Sequence, residues 1–355
     1  MREGRFELAK RRLFGIRVGA VTARRIDNFV RNKRAYYSLI LFITFFVISL
    51  FSEFIANDKP LIIHYQGKFY FPIIKDYYET DFGGELELEV DYKDPYIIQK
   101  IKEDGWMLWP IIPYKFDTID YSLDVPAPAP PSREHWLGTD DQGHDVVALI
   151  IYGYRISVIF GLLLTIISSA VGIVAGAVQG YFGGLLDLVF QRFIEIWSSM
   201  PVLYIVIILT SIFQPTFGLL LLILLLFRWL SLVGVVRAEF LRARNYEFVM
   251  AAKALGVRNI VVMLRHILPN AMVSTLTFLP FILNGSIVAL TSLDFLGLGL
   301  PPDAPSLGRL LAQGKANLQA PWLGISSFVV LAVLLSLLIF IGEGVRDAFD
   351  PRRNF

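Results

Sequence analysis

Six long apolar segments alternate with polar segments along the chain. Each holds about 20 predominantly apolar residues, which is enough for a helix to cross roughly 30 Å of hydrocarbon. An Arg-rich stretch precedes the first segment and no small-residue cleavage site follows it, so we expect an uncleaved anchor. The segments cover residues 36–56, 155–179, 188–213, 217–236, 271–293 and 323–341. The pattern predicts an all-α polytopic membrane protein whose two termini lie on the same side.

The basic residues indicate which side each loop faces, because Lys and Arg accumulate in cytoplasmic loops. Residues 1–35 hold eleven Lys and Arg against three acidic residues, and residues 237–265 hold six against two. Residues 57–150 hold eight against eighteen. We therefore predict cytoplasmic termini, with residues 57–150 and 297–322 outside. The basic segment 1–35 fits either a helix on the anionic inner leaflet or plain flanking charge.

The segment 57–150 is too long for a structureless connection, so we predict a small α+β module between the first two spans. Acidic and apolar residues alternate from Glu85 to Tyr92, which predicts a strand. Asp94 and Pro95 predict the start of a helix and Gly105 its end. The Pro-rich segment 125–131 predicts an extended return to the membrane. The module either stabilises the outer side of the protein or docks an external partner.

Composition narrows the function. The chain is 55% hydrophobic and 18% charged with a net charge of +2, which offers no basic field for nucleic acid. The absence of cysteine removes disulfides and thiolate chemistry, and the four histidines lack HExxH spacing. The Gly314-Lys315 pair is followed by Ala316, so it forms no Walker loop. We predict a transport protein, not an enzyme, without cofactor, catalytic residues or metal site.

The polar loop between the fourth and fifth segments, residues 238–270, has features that a plain connection would not need. Small side chains at Ala251 and Ala252 allow a partner surface to approach closely. Gly256 lets the chain turn, and Pro269 would start the next membrane helix. We predict two short helices split at Gly256.

Two charged residues fall inside predicted spans, Glu195 in the third and Arg228 in the fourth. Counting from the inner helix ends at 1.5 Å per residue places both roughly 10 to 12 Å deep. Intramembrane charges usually pair, so we predict an ion pair between them. The alternative function is an ion-coupled secondary transporter of small solutes, for which intramembrane acids and an inverted repeat are typical; no such repeat is evident.

The loop resembles the EAA loop of ABC importer permeases, whose pattern is EAA, three residues, Gly, nine residues, Ile, one residue and Leu-Pro. The residues in register are Ala251, Ala252, Gly256, Leu268 and Pro269. Met250 replaces the glutamate of the pattern and His266 its isoleucine, as in the dipeptide/oligopeptide branch. The coupling residues that the resemblance implies are Glu247, Ala251, Ala252, Leu255, Gly256, Arg265, His266, Leu268 and Pro269.

Further stretches resemble the same branch, although His144 stands where arginine is usual. They are residues 135–145, 151–157, 294–300, 320–322 and 344–352. The long outer insert is similar to that of the C-type permease of the Yej importers, which are associated with oligopeptides and microcin C. A second alternative function, a binding protein anchored to the outer surface, is rejected because it would need only one of the six spans.

The resemblance implies a type I ABC importer permease fold in the bacterial inner membrane. Its five-helix core would be residues 151–341, followed by a cytoplasmic tail at 342–355. The implied partners are a second homologous permease, cytoplasmic ABC ATPase domains and an extracytoplasmic peptide-binding protein that delivers the peptide substrate. In this interpretation the loop 238–270 couples the ATPases to the membrane helices.

Overall fold

The computed structural model describes residues 12–13, 16–17, 19–84 and 87–350. Among these, five helices are long and apolar enough to cross a membrane, or six when a bent pair counts as one span. They are Lys33–Leu50, Val146–Phe182, the pair Gly184–Ser198 and Val202–Ile212, Phe217–Ala243, Asn259–Phe295 and Pro321–Phe349. The predicted architecture of six apolar helices with a small sheet is confirmed.

The elements of the described chain are mostly helical. The strands are β1 (Arg12–Leu13), β2 (Ile16–Arg17), β3 (Ile62–Tyr65), β4 (Lys68–Tyr70) and β5 (Gly105–Leu108). The helices before the second span are α1 (Ala20–Arg31), α2 (Lys33–Leu50), α3 (Ser52–Ile55), a 3-10 turn at Glu79–Phe82 and α4 (Pro95–Asp104). The later helices are α5 (Val146–Phe182), α6 (Gly184–Ser198), α7 (Val202–Ile212), α8 (Phe217–Arg228), α9 (Leu230–Ala243), α10 (Glu247–Ala254), α11 (Asn259–Val261), a π-helical stretch at Val262–Ile267, α12 (Leu268–Phe295), α13 (Leu307–Ala316) and α14 (Pro321–Phe349).

The third span is broken, which the apolar pattern did not predict. Helices α6 and α7 meet at an angle of 67°. Pro201 lies at the break and has no N–H to continue the helical bonding. The Ser199 hydroxyl donates to the carbonyl oxygen of Ile196 at 2.7 Å, which satisfies part of the backbone freed by the break.

The chain divides into two compact units. Unit 1 comprises Met1–Ile43, Phe160–Ala289 and Val333–Phe355, and unit 2 comprises Thr44–Ile159 and Leu290–Ala332. Within unit 1, α1 lies against the end of α14, where the Arg25 guanidinium is 4.5 Å from the centre of the Phe349 ring. The binding of the N-terminal segment to a lipid surface stays a prediction.

The outer insert in unit 2 is built on a three-stranded antiparallel sheet in the order β4-β3-β5. Helix α4 begins where the sequence predicted, with the Asp94 carboxylate accepting a hydrogen bond from the Tyr96 amide at 2.7 Å. It ends at Gly105, where a side chain would collide with the backbone of His64 on β3. One face of the sheet packs on a buried cluster of Ile63, Tyr65, Phe82, Val90, Tyr92, Ile97 and Ile101.

Residues 85–86 of the predicted strand Glu85–Tyr92 lie outside the described residues. For the remaining residues the prediction of a strand is wrong. Residues 87–92 form one isolated bridge, from Glu89 to Tyr78, and do not join the sheet. The alternation fails at Leu88, which is 59% exposed while Val90 is buried. Backbone bonds to the chain just before the 3-10 turn, not to a sheet edge, therefore set the path of this segment.

Two long-range contacts join the end of the first span to the second span within unit 2. The Arg155 guanidinium lies 2.7 Å from the Glu53 carboxylate. The Tyr152 hydroxyl donates to the carbonyl oxygen of Ala56 at 2.9 Å. These bonds attach the base of the insert to α5.

A buried histidine joins the return segment to α5. The ring of His135 lies between two carboxylates, with Nδ1 2.8 Å from Asp145 Oδ2 and Nε2 3.0 Å from Asp120 Oδ2. The Tyr114 hydroxyl also donates to Asp120, at 3.1 Å. Burial alone would lower the pKa of His135, but the two carboxylates outweigh it and raise the pKa above its ordinary value.

Candidate functional site

The loop that the sequence singles out begins with α10, a helix of two turns. Its C-terminal end is a Schellman motif, in which the Val257 amide donates to the Ala252 carbonyl oxygen at 3.1 Å and the Gly256 amide to that of Lys253 at 3.0 Å. Gly256 has a φ of +76°, the left-handed conformation that this motif requires. The predicted turn at Gly256 is present, and α10 ends just before it, at Ala254.

The predicted second short helix is α11 (Asn259–Val261), but it continues through the π-helical stretch Val262–Ile267 into α12, so that Asn259–Phe295 forms one helical span. Pro269 lies in the first turn of α12, near the predicted start of this helix. The π-helical stretch directly before it opens the backbone ladder where the proline ring needs room. A side chain at Gly256 would also meet no atom within 4 Å, so the turn itself, not close approach of a neighbour, requires the glycine.

The loop has a buried face and an exposed face. Ala252 is buried within the chain, so it does not offer a small surface to a partner as the sequence suggested. It packs in a cluster with Val249, Val262, Met263 and Ile267, against Ala177 and Tyr181 of α5 and Leu232, Val236 and Phe240 of α9. The exposed candidate residues are Glu247, Ala251, Leu255, Gly256, Arg265 and Pro269, whereas His266 and Leu268 are half-buried.

The exposed face is strongly apolar. Leu255, at the end of α10, is 84% exposed. Four more large apolar side chains are exposed on α10 and at the start of the following helix: Phe248, Met250, Ile260 and Leu264. Several exposed large apolar side chains on one loop are typical of a protein interaction site.

Three polar residues that the sequence analysis missed hold the loop to α5. The Tyr181 hydroxyl, near the end of α5, donates to the Asn259 side-chain oxygen at 2.7 Å. The Lys253 ammonium lies 4.6 Å from the centre of the Tyr181 ring, a cation–π contact. Both sides of the turn are thus fixed to the same tyrosine.

A glycine repeat in α5 is the sequence signal that could have predicted close helix packing next to the loop. Gly172, Gly176 and Gly180 are spaced four residues apart, so they share one helix face. A Cβ on Gly176 would lie 2.7 Å from the Val233 carbonyl oxygen, and one on Gly180 would lie 2.5 Å from that of Arg237. Helices α5 and α9 therefore touch backbone to backbone directly below the loop.

The family comparison covers the part of the chain that contains this loop. The model of the family described as binding-protein-dependent transport system inner membrane component matches residues 168–355, which include the loop. The chain belongs to this family. It is a membrane permease subunit of an ABC transport system and is not itself an enzyme, which decides against the ion-coupled secondary transporter.

Similar permeases cover two thirds or more of the chain. The inner membrane ABC transporter permease protein YejE of Escherichia coli is 58% identical over 337 residues, covering 95% of this chain and 99% of the relative. The peptidoglycan transport system permease protein YejE of Agrobacterium fabrum is 55% identical over 358 residues, covering 94% of each. The oligopeptide transport system permease protein OppC of Haemophilus influenzae is 35% identical over 241 residues, covering 68% of this chain and 77% of the relative.

The predicted ion pair between Glu195 and Arg228 is not formed in this permease. Glu195 is exposed and its carboxylate lies 2.5 Å from the Arg192 guanidinium, one turn back on α6. Arg228 donates to the carbonyl oxygen of Gly285 at 2.6 Å. Equal depth in the membrane did not make these two residues neighbours, because depth leaves the rotation of each helix undetermined.

A different ion pair joins the same two spans. The Arg237 guanidinium donates twice to the Asp187 carboxylate, from Nε at 2.6 Å and from Nη2 at 2.7 Å. Arg237 lies nine residues beyond Arg228, or about 2.5 helical turns, so it points to the opposite side. This bidentate contact fixes α6 to α9 next to the glycine contact.

We expect Glu195→Gln and Arg228→Gln to have additive effects on thermal unfolding of the permease in detergent, because the two side chains make no common contact. Asp187→Asn and Arg237→Gln are the matched control pair, for which we expect the double variant to lose less than the two single losses combined. A coupling between Glu195 and Arg228 as large as that of the control pair would contradict this prediction.

Proposed function

We propose that this chain is the C-type permease subunit of an ATP-driven oligopeptide importer, and that its loop 238–270 couples it to a cytoplasmic ATPase. The single observation that carries the proposal is the apolar face around Leu255, exposed on a loop whose other face is buried in the helices of unit 1. Oligopeptides are the proposed substrate because the H. influenzae relative is named for their transport.

The loop is held rigidly to the membrane helices. The Schellman cap fixes the direction of α10, and the Tyr181 contacts hold both sides of the turn to α5. The residues after the turn continue without interruption into the span that ends at Phe295. A displacement of the exposed face would therefore move α5, α9 and α12 together, as rigid-body switching between outward-open and inward-open states requires.

The remaining assignments follow from this role. Both termini and the loop would face the cytoplasm, with the basic segment 1–35 at the inner surface, residues 36–56 as the first span and the insert 57–150 in the periplasm. Separate ABC ATPase subunits would hydrolyse ATP, a second homologous permease would form the other half of the pathway, and an extracytoplasmic binding protein would deliver the peptide.

We expect Leu255→Asp to abolish peptide-stimulated ATP hydrolysis while the permease still folds, because the side chain is exposed and an aspartate there would be desolvated at the ATPase contact. Burial of a leucine side chain contributes about 1.5 to 3 kcal/mol, so affinity for the ATPase should fall by about 10- to 100-fold. The measurements are co-purification with the ATPase and ATP hydrolysis by the complete transporter in nanodiscs.

The matched control is Leu318→Asp, since Leu318 is 82% exposed but lies in the segment that we place outside. It should leave co-purification with the ATPase unchanged. Ala252→Asp is unsuitable for this test, because Ala252 is buried and the variant would destabilise the permease itself. Wild-type ATPase association by the Leu255→Asp protein would overturn the proposed coupling role.

A further inference from the structure

Arg228 is an intramembrane cation to which the coupling role assigns no purpose. It lies close to the middle of the 27-residue span Phe217–Ala243, so its guanidinium is at membrane depth. It forms no ion pair with another described residue. The carboxylates of helices α6 to α9 have other partners: Asp187 pairs with Arg237, Glu195 with Arg192 and Glu239 with Arg242.

The guanidinium of Arg228 is only partly used within the chain. Its Nη2 donates to the carbonyl oxygen of Gly285 on α12 at 2.6 Å. A Cβ on Gly285 would lie 3.3 Å from Nη1, so the glycine leaves room for the guanidinium. The Nε and Nη1 atoms have no partner among the described residues, and they are not enclosed. Because the side chain is half-buried, a ligand outside the chain can reach these N–H donors.

The membrane span is interrupted at the same place. Helix α8 ends at Arg228 and α9 begins at Leu230, with Trp229 as a turn between them. The carbonyl oxygen of Leu226 accepts the indole N–H groups of Trp197 at 2.8 Å and of Trp229 at 2.9 Å. Irregular backbone at membrane depth is tolerated only where it is surrounded by protein or lines a water-filled path. The break therefore indicates that Arg228 faces such surroundings and not lipid.

A second unpaired polar group lies next to the residue that Arg228 contacts. Asn284 directly precedes Gly285 on α12 and is half-buried. Its amide forms no hydrogen bond with another described residue, and its oxygen and nitrogen are not enclosed. A lipid tail satisfies neither an amide nor a guanidinium, and polar groups at this depth mark substrate pathways. The open groups are a cation and an amide, which suit an anionic ligand that carries amide groups of its own.

We propose that Arg228 binds the C-terminal carboxylate of the peptide during its passage through the membrane. This inference rests on the proposed function, since the oligopeptide importer supplies the peptide. Every unmodified peptide ends in a carboxylate whatever its side chains are, and a guanidinium matches a carboxylate through parallel N–H donors. An arginine at a fixed position can therefore contact peptides of many sequences.

A carboxylate of the second permease is the other group that could face Arg228. The peptide fits better, because the amide of Asn284 offers both a donor and an acceptor, and the last peptide unit presents both beside the carboxylate. An ionised Asp or Glu side chain of a subunit presents acceptors only. The two occupants have different consequences for an arginine variant.

Binding of trialanine and of its C-terminal amide, trialaninamide, to this chain with its second permease in nanodiscs tests the site. The measurement is saturation-transfer NMR, and the wild type should bind trialanine more tightly than trialaninamide. Arg228→Gln should weaken trialanine binding about tenfold, the effect of one charge-assisted contact, and should leave trialaninamide binding unchanged. The glutamine keeps an N–H donor for the Gly285 carbonyl oxygen, so the variant should fold. Arg228→Lys keeps the charge and should retain part of the preference.

The matched control is Arg192→Gln, because Arg192 also lies in a span but already pairs with Glu195. It should leave the preference for trialanine intact. Equal binding of the two peptides by the wild type, or an equal loss in the two Arg→Gln variants, would overturn the proposal. Loss of the second permease from purified Arg228→Gln, with trialanine binding unchanged, would assign the carboxylate to that subunit and would also overturn it.

Failure of this site and failure of the proposed function give different results. The binding measurement needs neither the ATPase nor the binding protein, so Leu255→Asp should keep the preference for trialanine. In the complete transporter, Arg228→Gln should lower uptake of trialanine. If the wild type and Arg228→Gln import trialanine equally well, this inference fails while the proposed function stands. A preference for the carboxylate without any import of peptide would overturn the proposed function alone.

Discussion

Replacing Gly176 by leucine is expected to prevent α5 and α9 from packing. A Cβ at this position would lie 2.7 Å from the Val233 carbonyl oxygen and 2.9 Å from the Val236 Cβ. Neither of these is the end of a flexible side chain, so the helices themselves would have to separate. Separation would also remove the platform on which the loop packs, because Val236 belongs to the same buried cluster as Ala252.

Overpacking of a core costs about 1 to 3 kcal/mol when side chains can yield, and we expect more here because the backbone cannot. Gly234→Leu is the matched control, since Gly234 lies on α9 and a Cβ there would meet no atom within 4 Å. The measurements are the monodisperse yield and thermal unfolding of the purified chain. A Gly176→Leu protein that is as stable as the Gly234→Leu protein would contradict the backbone contact.

The second large effect is expected for His135→Leu in unit 2. The side chain of His135 is almost fully buried between Asp120 and Asp145, so its removal leaves two buried carboxylates without their common partner. Breaking a buried charge pair costs about 3 to 5 kcal/mol. His64→Leu is the control, because His64 is half-buried on the sheet, where its ring packs against the rings of Phe69 and Trp106.

The same cluster predicts a pH dependence. The pKa of His135 is raised in the folded protein, so its contribution is fully present below the unfolded pKa of about 6.5 and is lost as the pH rises through the raised value. Burial would raise the pKa of Asp120, but hydrogen bonds from Ser122, His135 and Tyr114 outweigh it and hold the pKa well below its ordinary value. Its contribution is therefore present above about pH 3.9 and lost as the pH falls through the lowered value.

The contribution of this cluster to the thermal stability of the wild type should consequently be largest between about pH 4 and 6.5. The stability difference between the wild type and His135→Leu should shrink as the pH rises above this range. A difference that is independent of pH would mean that His135 is neutral in the folded protein and acts by packing alone.

The sequence alone determined the features that depend on local physics. A run of apolar residues long enough to cross the bilayer has few alternatives to a helix, because lipid cannot satisfy free backbone groups. Asp94, Pro95 and Gly105 bracket helix α4 because capping and chain termination act within one turn. The spacing of Ala251, Gly256 and Pro269 identified the loop and its family for the same reason, since the motif is contiguous in the chain.

Only the tertiary structure decided which faces meet. It paired Asp187 with Arg237 in place of Glu195 with Arg228, and it buried Ala252 while leaving Leu255 exposed. In each case the sequence specified where a residue lies along its helix but not the rotation of that helix about its axis. That rotation is set by the packing of neighbouring helices, here by the backbone contact at Gly176, which joins residues that are distant in the chain.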